Sequence, residues 1–315
     1  MRIASLLPSA TEIVAIVGGR DELVGVSHEC DYPAGVDRLP VLTRTRRELP
    51  KASGEIDREV RAILTDALTV YEIELDVLRK AAPDVIVTQD LCDVCAVSLD
   101  DVRRALAELV REDVKVVSLS PSRLADVWND VRRVGEGTGH ASEGEAAVRE
   151  LERRISELRA RTSAFDARPS VLTVEWIDPV MIGGTWMPEL VEIAGGHALV
   201  TEPGQHAPTL GLDELRALDP DVVLVKPCGF DLERTATEAD LLRKTLPWDQ
   251  WTAAREGRVF VADGNAYFNR PGPRLVESAE ILAACIHPDA CADLAASHAG
   301  SFYRLTADAT WQAIH

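Results

Sequence analysis

Apolar positions along this chain follow two alternating patterns. Continuous aliphatic and β-branched runs occur in RIASLL (2–7), LVGVS (23–27), VIVTQ (85–89), VKVVSLS (114–120), RPSVLTVEW (168–176), VVLVK (222–226) and RVFVAD (258–263). Runs of this kind are expected of strands covered on both faces, as in a parallel sheet. Between them, apolar residues recur every three or four positions, the period of an amphipathic helix. The first such helix follows RIASLL, where Ser9 and Glu12 have the spacing of a capping box and Gly18-Gly19 supplies the stop.

The pattern also repeats. ELDVLRKAAPDVIVTQ (74–89) and GLDELRALDPDVVLVKP (211–227) share L-D-x-L-R-x-x-x-P-D-V followed by a β-branched run. Each reads as a short helix, a turn at Pro-Asp and a buried strand, so the repeat predicts two similar α/β lobes. The intervening segment is helical by period and broken at Gly135 to Gly139; beyond the break, Val148, Leu151, Ile155 and Leu158 mark one uninterrupted face. About 20 residues of helix span roughly 30 Å. The expected fold is therefore α/β, with two Rossmann-like lobes of mainly parallel strands joined by one long rigid α-helix. The expected divisions are an N-terminal lobe at 1–140, the linking helix at 141–164, a C-terminal lobe at 165–290 and a C-terminal tail at 291–315.

Charge narrows the partners. With 52 acidic against 34 basic residues, the net charge of -18 repels a phosphate backbone and argues against nucleic acid. No window reaches the roughly 18 consecutive apolar residues of a membrane span, so membrane insertion is not expected. The N-terminus has one basic residue, then Pro8, Ser9, Thr11 and Glu12, and no lipid-attachment cysteine. It reads as mature structure. As the sequence stands this predicts a cytoplasmic protein, periplasmic or extracellular only if the start is misassigned. Six cysteines in 315 residues are too sparse for a disulfide scaffold, and their clustering points to metal or redox chemistry.

In open parallel sheets ligands bind beyond the carboxyl ends of the strands. The strand exits carry Pro8 and Ser9, HECDYP with His28 and Cys30, DLCDVC with Cys92 and Cys95, EWIDP with Glu175 and Trp176, PCGF with Cys228, and GNAYFNRPGPR with Asn265, Tyr267, Phe268, Asn269 and Arg270. Cys92 and Cys95 form a C-x2-C pair, suited to a metal knuckle or a redox dithiol, although Asp93 between them disfavours thiolate. Together with Cys30 and Cys228 they make a tetrathiolate set for zinc or an iron–sulfur cluster. Cys285, on the apolar stretch AEILAACIHP, reads as core packing, and Cys291 as a loop residue.

SLLPSATEIV, LVGVSHECDYP, VTQDLCDVCAVS, EWIDP, PCGF and AYFNRPGPR, in that order, resemble the cobalamin-binding, vitamin B12 receptor-like branch of the helix-linked (cluster A-III) periplasmic-binding-protein-like superfamily. The resemblance covers roughly residues 1 to 290. It implies a solute-binding protein of ABC-transporter type holding a corrinoid, cobalamin or cobinamide, in the cleft between its lobes. It also implies docking to a B12-type ABC importer through one carboxylate per lobe. Asp76 and Asp213, seven residues before the proline of each repeat, match those positions, although an acidic residue there also favours the helix macrodipole.

On this reading Trp176, Tyr267 and Phe268 pack on the macrocycle or within their lobe. Asn265, Asn269 and Arg270 donate to an amide or phosphate periphery. Glu175 is a carboxylate ligand or a strand-end hydrogen-bond partner. A thiolate or His28 is placed to approach the cobalt. No G-x-S-x-G elbow, H-E-x-x-H helix, Walker loop or Rossmann fingerprint occurs, so a binding protein is expected rather than an enzyme, with a redox role for the C-x2-C left open. The alternative is an intracellular metal or iron–sulfur protein that uses Cys30, Cys92, Cys95 and Cys228 on the same fold.

Overall fold

The computed structural model describes residues 1–46, 48–65, 70–90, 99–108, 113–306 and 311–313. The chain divides into two compact units, Met1–Lys51 with Glu55–Leu151, and Ala52–Gly54 with Glu152–His315.

The first unit runs β1 (Ile3–Ser5), α1 (Pro8–Ile16), β2 (Leu23–Gly25), β3 (Thr43–Thr45), α2 (Ser53–Thr65), β4 (Tyr71–Ile73), α3 (Leu75–Ala81), β5 (Val85–Gln89), α4 (Leu99–Glu108), β6 (Lys115–Leu119) and α5 (Leu124–Gly137). Its sheet has the order β2-β1-β5-β6, parallel throughout. All five residues of β5 are buried, as a strand covered on both faces must be. Ala4, Leu6, Leu42, Leu78, Ile86 and Val102 lie in the core on one side of this sheet. A separate antiparallel pair, β3 with β4, sets Thr43 opposite Ile73.

α6 (Ala141–Ser163) is one continuous helix. Val148, Leu151, Ile155 and Leu158 are all buried along it, as their spacing predicts. Within the second unit Arg154 fastens it to Glu277 and Glu280 at 2.8 and 2.9 Å, and Arg161 pairs with Asp293 at 2.6 Å.

The second unit continues with β7 (Ser170–Trp176), β8 (Met181–Ile182), α7 (Met187–Ile193), β9 (His197–Ala198), α8 (Leu212–Arg216), β10 (Val222–Val225), α9 (Leu232–Thr237), α10 (Ala239–Thr245), α11 (Thr252–Arg255), β11 (Val259–Ala262), α12 (Leu275–Ile286), α13 (Ala292–Ser297), β12 (Phe302–Leu305) and β13 (Trp311–Ala313). Its sheet follows β13-β12-β11-β10-β7-β8, with β9 also on β7. β9, β7, β10 and β11 are parallel. They match β2, β1, β5 and β6 in order, so the sequence repeat is also a repeat of topology.

Two expectations need correction. Ser9 and Glu12 do not form a capping box: Leu7, in extended backbone, is the N-cap, and Pro8 takes the first helical turn, where its missing N–H costs nothing. Residues 291–315 are also more than a tail. They contain α13, β12 and β13, and β12 pairs antiparallel with β11, Phe260 opposite Arg304. Strands of four and three residues carry too little alternation to be read locally, and pairing on an existing edge is what defines them.

Candidate ligand-binding loops at the strand ends

In the first unit β2 leads into Ser27, His28, Glu29 and Cys30. His28 is exposed, yet its inner edge is held. Its Nδ1 lies 2.8 Å from Thr43 Oγ1 and its backbone N–H donates to the same oxygen at 3.2 Å. The Thr43 hydroxyl donates to Ser27 Oγ at 3.1 Å. The Tyr71 ring packs on the imidazole at 5.1 Å, and Tyr71 in turn donates its hydroxyl to Glu29 at 2.8 Å. Burial of that inner edge lowers the His28 pKa below its ordinary 6.5, with the Glu29 carboxylate pulling the other way.

Of the other sequence-predicted groups here, Pro8 is half-buried and Ser9 is buried, its hydroxyl without a partner among the described residues. Cys30 is buried too, its sulfur 3.1 Å from Thr11 Oγ1. Cys92 and Cys95 lie outside the described residues.

The second unit ties its strand ends together through a residue that pattern reading passed over. Lys226, directly after β10, is wholly buried. Its ammonium donates to Glu175 Oε2 and to Asn269 Oδ1, each at 2.8 Å. Asn269 Nδ2 donates to the Lys226 and Gly264 carbonyls at 3.0 and 2.8 Å. One side-chain network thus joins the ends of β7, β10 and β11. At Gly264 a Cβ would come within 2.1 Å of the Pro227 carbonyl oxygen, so this close passage requires glycine. Lysine ending an apolar run, just before proline, was the available signal, because a buried charge needs a partner nearby.

This network decides which predicted residues remain available. Glu175 and Asn269 are committed to Lys226. Phe268 is fully buried at φ 66°, its N–H bonded to Ser278 Oγ at 3.0 Å and its carbonyl accepting from Trp186 Nε1 at 2.7 Å. It packs within its own lobe, and its main chain shapes the loop. Arg270 is 8% exposed and bonds Asn265 Oδ1 at 2.9 Å, so it braces the loop and is not a free donor. Asp263 receives the Asn265 and Ala266 N–H groups at 3.0 and 2.7 Å, and burial raises its pKa.

Trp176, Cys228, Asn265 and Tyr267 stay half-buried and form the open rim of these strand ends. The Trp176 indole donates to the Asp178 carbonyl at 3.1 Å and meets the Phe230 ring edge-on at 5.2 Å. Tyr267 lies under the Arg274 guanidinium at 5.4 Å. Among the described residues no group of three or more His, Cys, Asp or Glu side chains is arranged to hold a metal ion.

Two α/β units, each built on four parallel strands and connected in sequence by a long helix, with polar and aromatic loops at the strand ends, define a two-lobed binding protein. The Periplasmic binding protein family model matches residues 3–266, and the chain belongs to that family: it is a solute-binding protein of ABC-transporter type. No curated protein matches the chain in sequence. Solved structures share its fold. A periplasmic heme-binding protein from Pseudomonas aeruginosa is 22% identical, with 91% of this chain and 93% of that one covered and a TM-score of 0.67. The periplasmic heme-binding protein HutB of Vibrio cholerae is 18% identical, over 91% and 99%, at 0.70. The periplasmic vitamin B12 binding protein BtuF of Vibrio cholerae is 18% identical, over 90% and 96%, at 0.61.

The family overturns the cytoplasmic expectation. Its members, and these solved relatives, are periplasmic proteins. The sequence reading erred by inferring a compartment from how the chain begins. Among the described residues no helix is long and apolar enough to cross a membrane.

Proposed function

We propose that this solute-binding protein captures a corrinoid, cobalamin or cobinamide, on its strand-end loops and delivers it to an ABC importer. The half-buried aromatic rim carries the reading. Trp176 and Tyr267 offer flat apolar surface beside the polar Asn265 and Cys228, a combination suited to a macrocycle with an amide-bearing edge. A second reading, heme, draws on the solved relatives, two of which bind heme as named above. Both ligands are metal tetrapyrroles. The metal or iron–sulfur alternative draws no such support from the family.

Asp76 and Asp213 are the proposed importer contacts. Each is largely exposed, at 84% and 97% of its side chain, and among the described residues each pairs with the arginine three residues on, Arg79 at 2.5 Å and Arg216 at 3.2 Å. Neither caps its helix: at α8 the carboxylate that accepts the Gly211 N–H is Glu214, at 2.7 Å. Exposed pairs of this kind contribute little to stability, which leaves the carboxylates available to a partner.

Calorimetric and absorption titration with cyanocobalamin, dicyanocobinamide and hemin tests the proposal. Binding of a corrinoid in the nanomolar to micromolar range is expected, on the order of -8 to -12 kcal/mol, weakened when Trp176 or Tyr267 becomes alanine. Hemin binding without corrinoid binding would select the second reading, and neither heat nor spectral change with all three would refute both.

A further inference from the structure

We infer that His28 Nε2 takes an open coordination position on the metal of the bound tetrapyrrole, with Thr43 as the residue that presets the imidazole for it. The inference rests on the tetrapyrrole reading above and adds the group that touches the metal. A threonine hydroxyl has a single hydrogen, and Thr43 gives it to Ser27 Oγ. Both contacts from His28 to Thr43 Oγ1, at 3.2 and 2.8 Å, are then donations, one from the backbone N–H and one from Nδ1–H. With its proton on Nδ1, a neutral imidazole carries its lone pair on Nε2. Nε2 has no partner among the described residues, and the residue is exposed.

The surroundings favour ligation over other roles. A hydrogen bond to the far ring nitrogen is the usual way in which a metal-binding histidine is oriented and made more basic. Tyr71, held by Glu29, packs on the ring from a second direction, so little side-chain freedom remains to be lost on binding. The other soft donor of this loop, Cys30, is buried against Thr11 and does not compete. The step is a ligand exchange: a water leaves the metal, the Nε2–metal bond forms and the oxidation state is unchanged.

Two measurements test this. In the ligand-free protein, nitrogen-15 NMR of the His28 ring should find the proton on Nδ1 at neutral pH; a proton on Nε2 would overturn the inference whatever the ligand. Aquocobinamide and hemin, whose axial waters exchange, should then give nitrogen-ligated absorption spectra with the wild-type protein. With H28A the spectra should revert to the water-ligated form and affinity should fall about tenfold or more. Thr43→Val should mix the two tautomers and weaken the nitrogen-ligated signature, and Thr43→Ser should restore both. Identical spectra for bound wild type and H28A would overturn the inference while leaving tetrapyrrole binding intact. Failure of wild type to bind either probe would instead remove the tetrapyrrole reading, and this inference with it.

Discussion

Replacing Asp130 by asparagine should stabilise the first unit at neutral pH, and the gain should disappear in acid. Asp130 lies on α5 with 3% of its surface exposed. Its Oδ1 accepts from Arg133 Nη1 at 3.0 Å, while Oδ2 has no partner among the described residues. Burial raises its pKa from 3.8 to about 6, with Arg133 offsetting part of the effect. Because the folded value lies above the unfolded one, the folded state holds the extra proton between those limits. Stability from this group is therefore greatest below pH 3.8 and declines as pH rises to 6. The raised value of about 6 against 3.8 corresponds to roughly 3 kcal/mol in full, of which about 2 kcal/mol falls between pH 7 and pH 4.

Asparagine keeps the shape and never ionises. D130N should accordingly exceed wild type by about 1–2 kcal/mol at pH 7, part of the gain being lost with the Arg133 pair, and the margin should shrink toward pH 4. Asp126, whose pKa backbone N–H donors from Ser122 and Arg123 pull down against the cost of burial, works in the opposite sense in both proteins, and removing the Asp130 charge also relieves the repulsion between the two carboxylates. Amide hydrogen exchange in α5 as a function of pH, with α12 as internal reference, reads the difference in the intact chain. A difference that does not change with pH, or that grows toward acid, would refute the reasoning.

Lys226→Met should cost about 2–4 kcal/mol in urea unfolding, because it leaves the Glu175 carboxylate without its buried counter-charge. The double variant with Glu175→Gln should recover part of that loss, and strict additivity would contradict the proposed coupling. Cys285→Ser should destabilise by about 1–3 kcal/mol and leave ligand titrations unchanged, since Cys285 is fully buried on α12; altered affinity would remove it from the core class. Reversing Asp76 and Asp213 together to arginine should change unfolding midpoints negligibly while abolishing stimulation of the cognate importer in vesicles. Full stimulation by the double variant would end their docking role.

The sequence determined the fold to the level of two α/β units because that information is local. Buried parallel strands such as VIVTQ and VVLV are continuous apolar runs, a helix period is visible within a few turns, and the shared L-D-x-L-R-x-x-x-P-D-V pattern announced the repeated topology. Strand exits then marked where ligand loops would lie, since the chain reverses there whatever follows. What each loop residue does was decided only in three dimensions. Phe268 and Arg270 follow a strand just as Tyr267 does, yet the left-handed backbone at Phe268, clamped by Trp186 and Ser278, turns one ring into the core and leaves its neighbour half-buried. Lys226 drew no attention in the sequence, because its partners stand 51 and 43 residues away. The surroundings of His28 likewise come from Thr43 and Tyr71, brought in by a separate β3–β4 pair. A side chain's partners are fixed by pairing across the whole unit, and hydrogen bonds between distant segments leave no periodic trace in the chain.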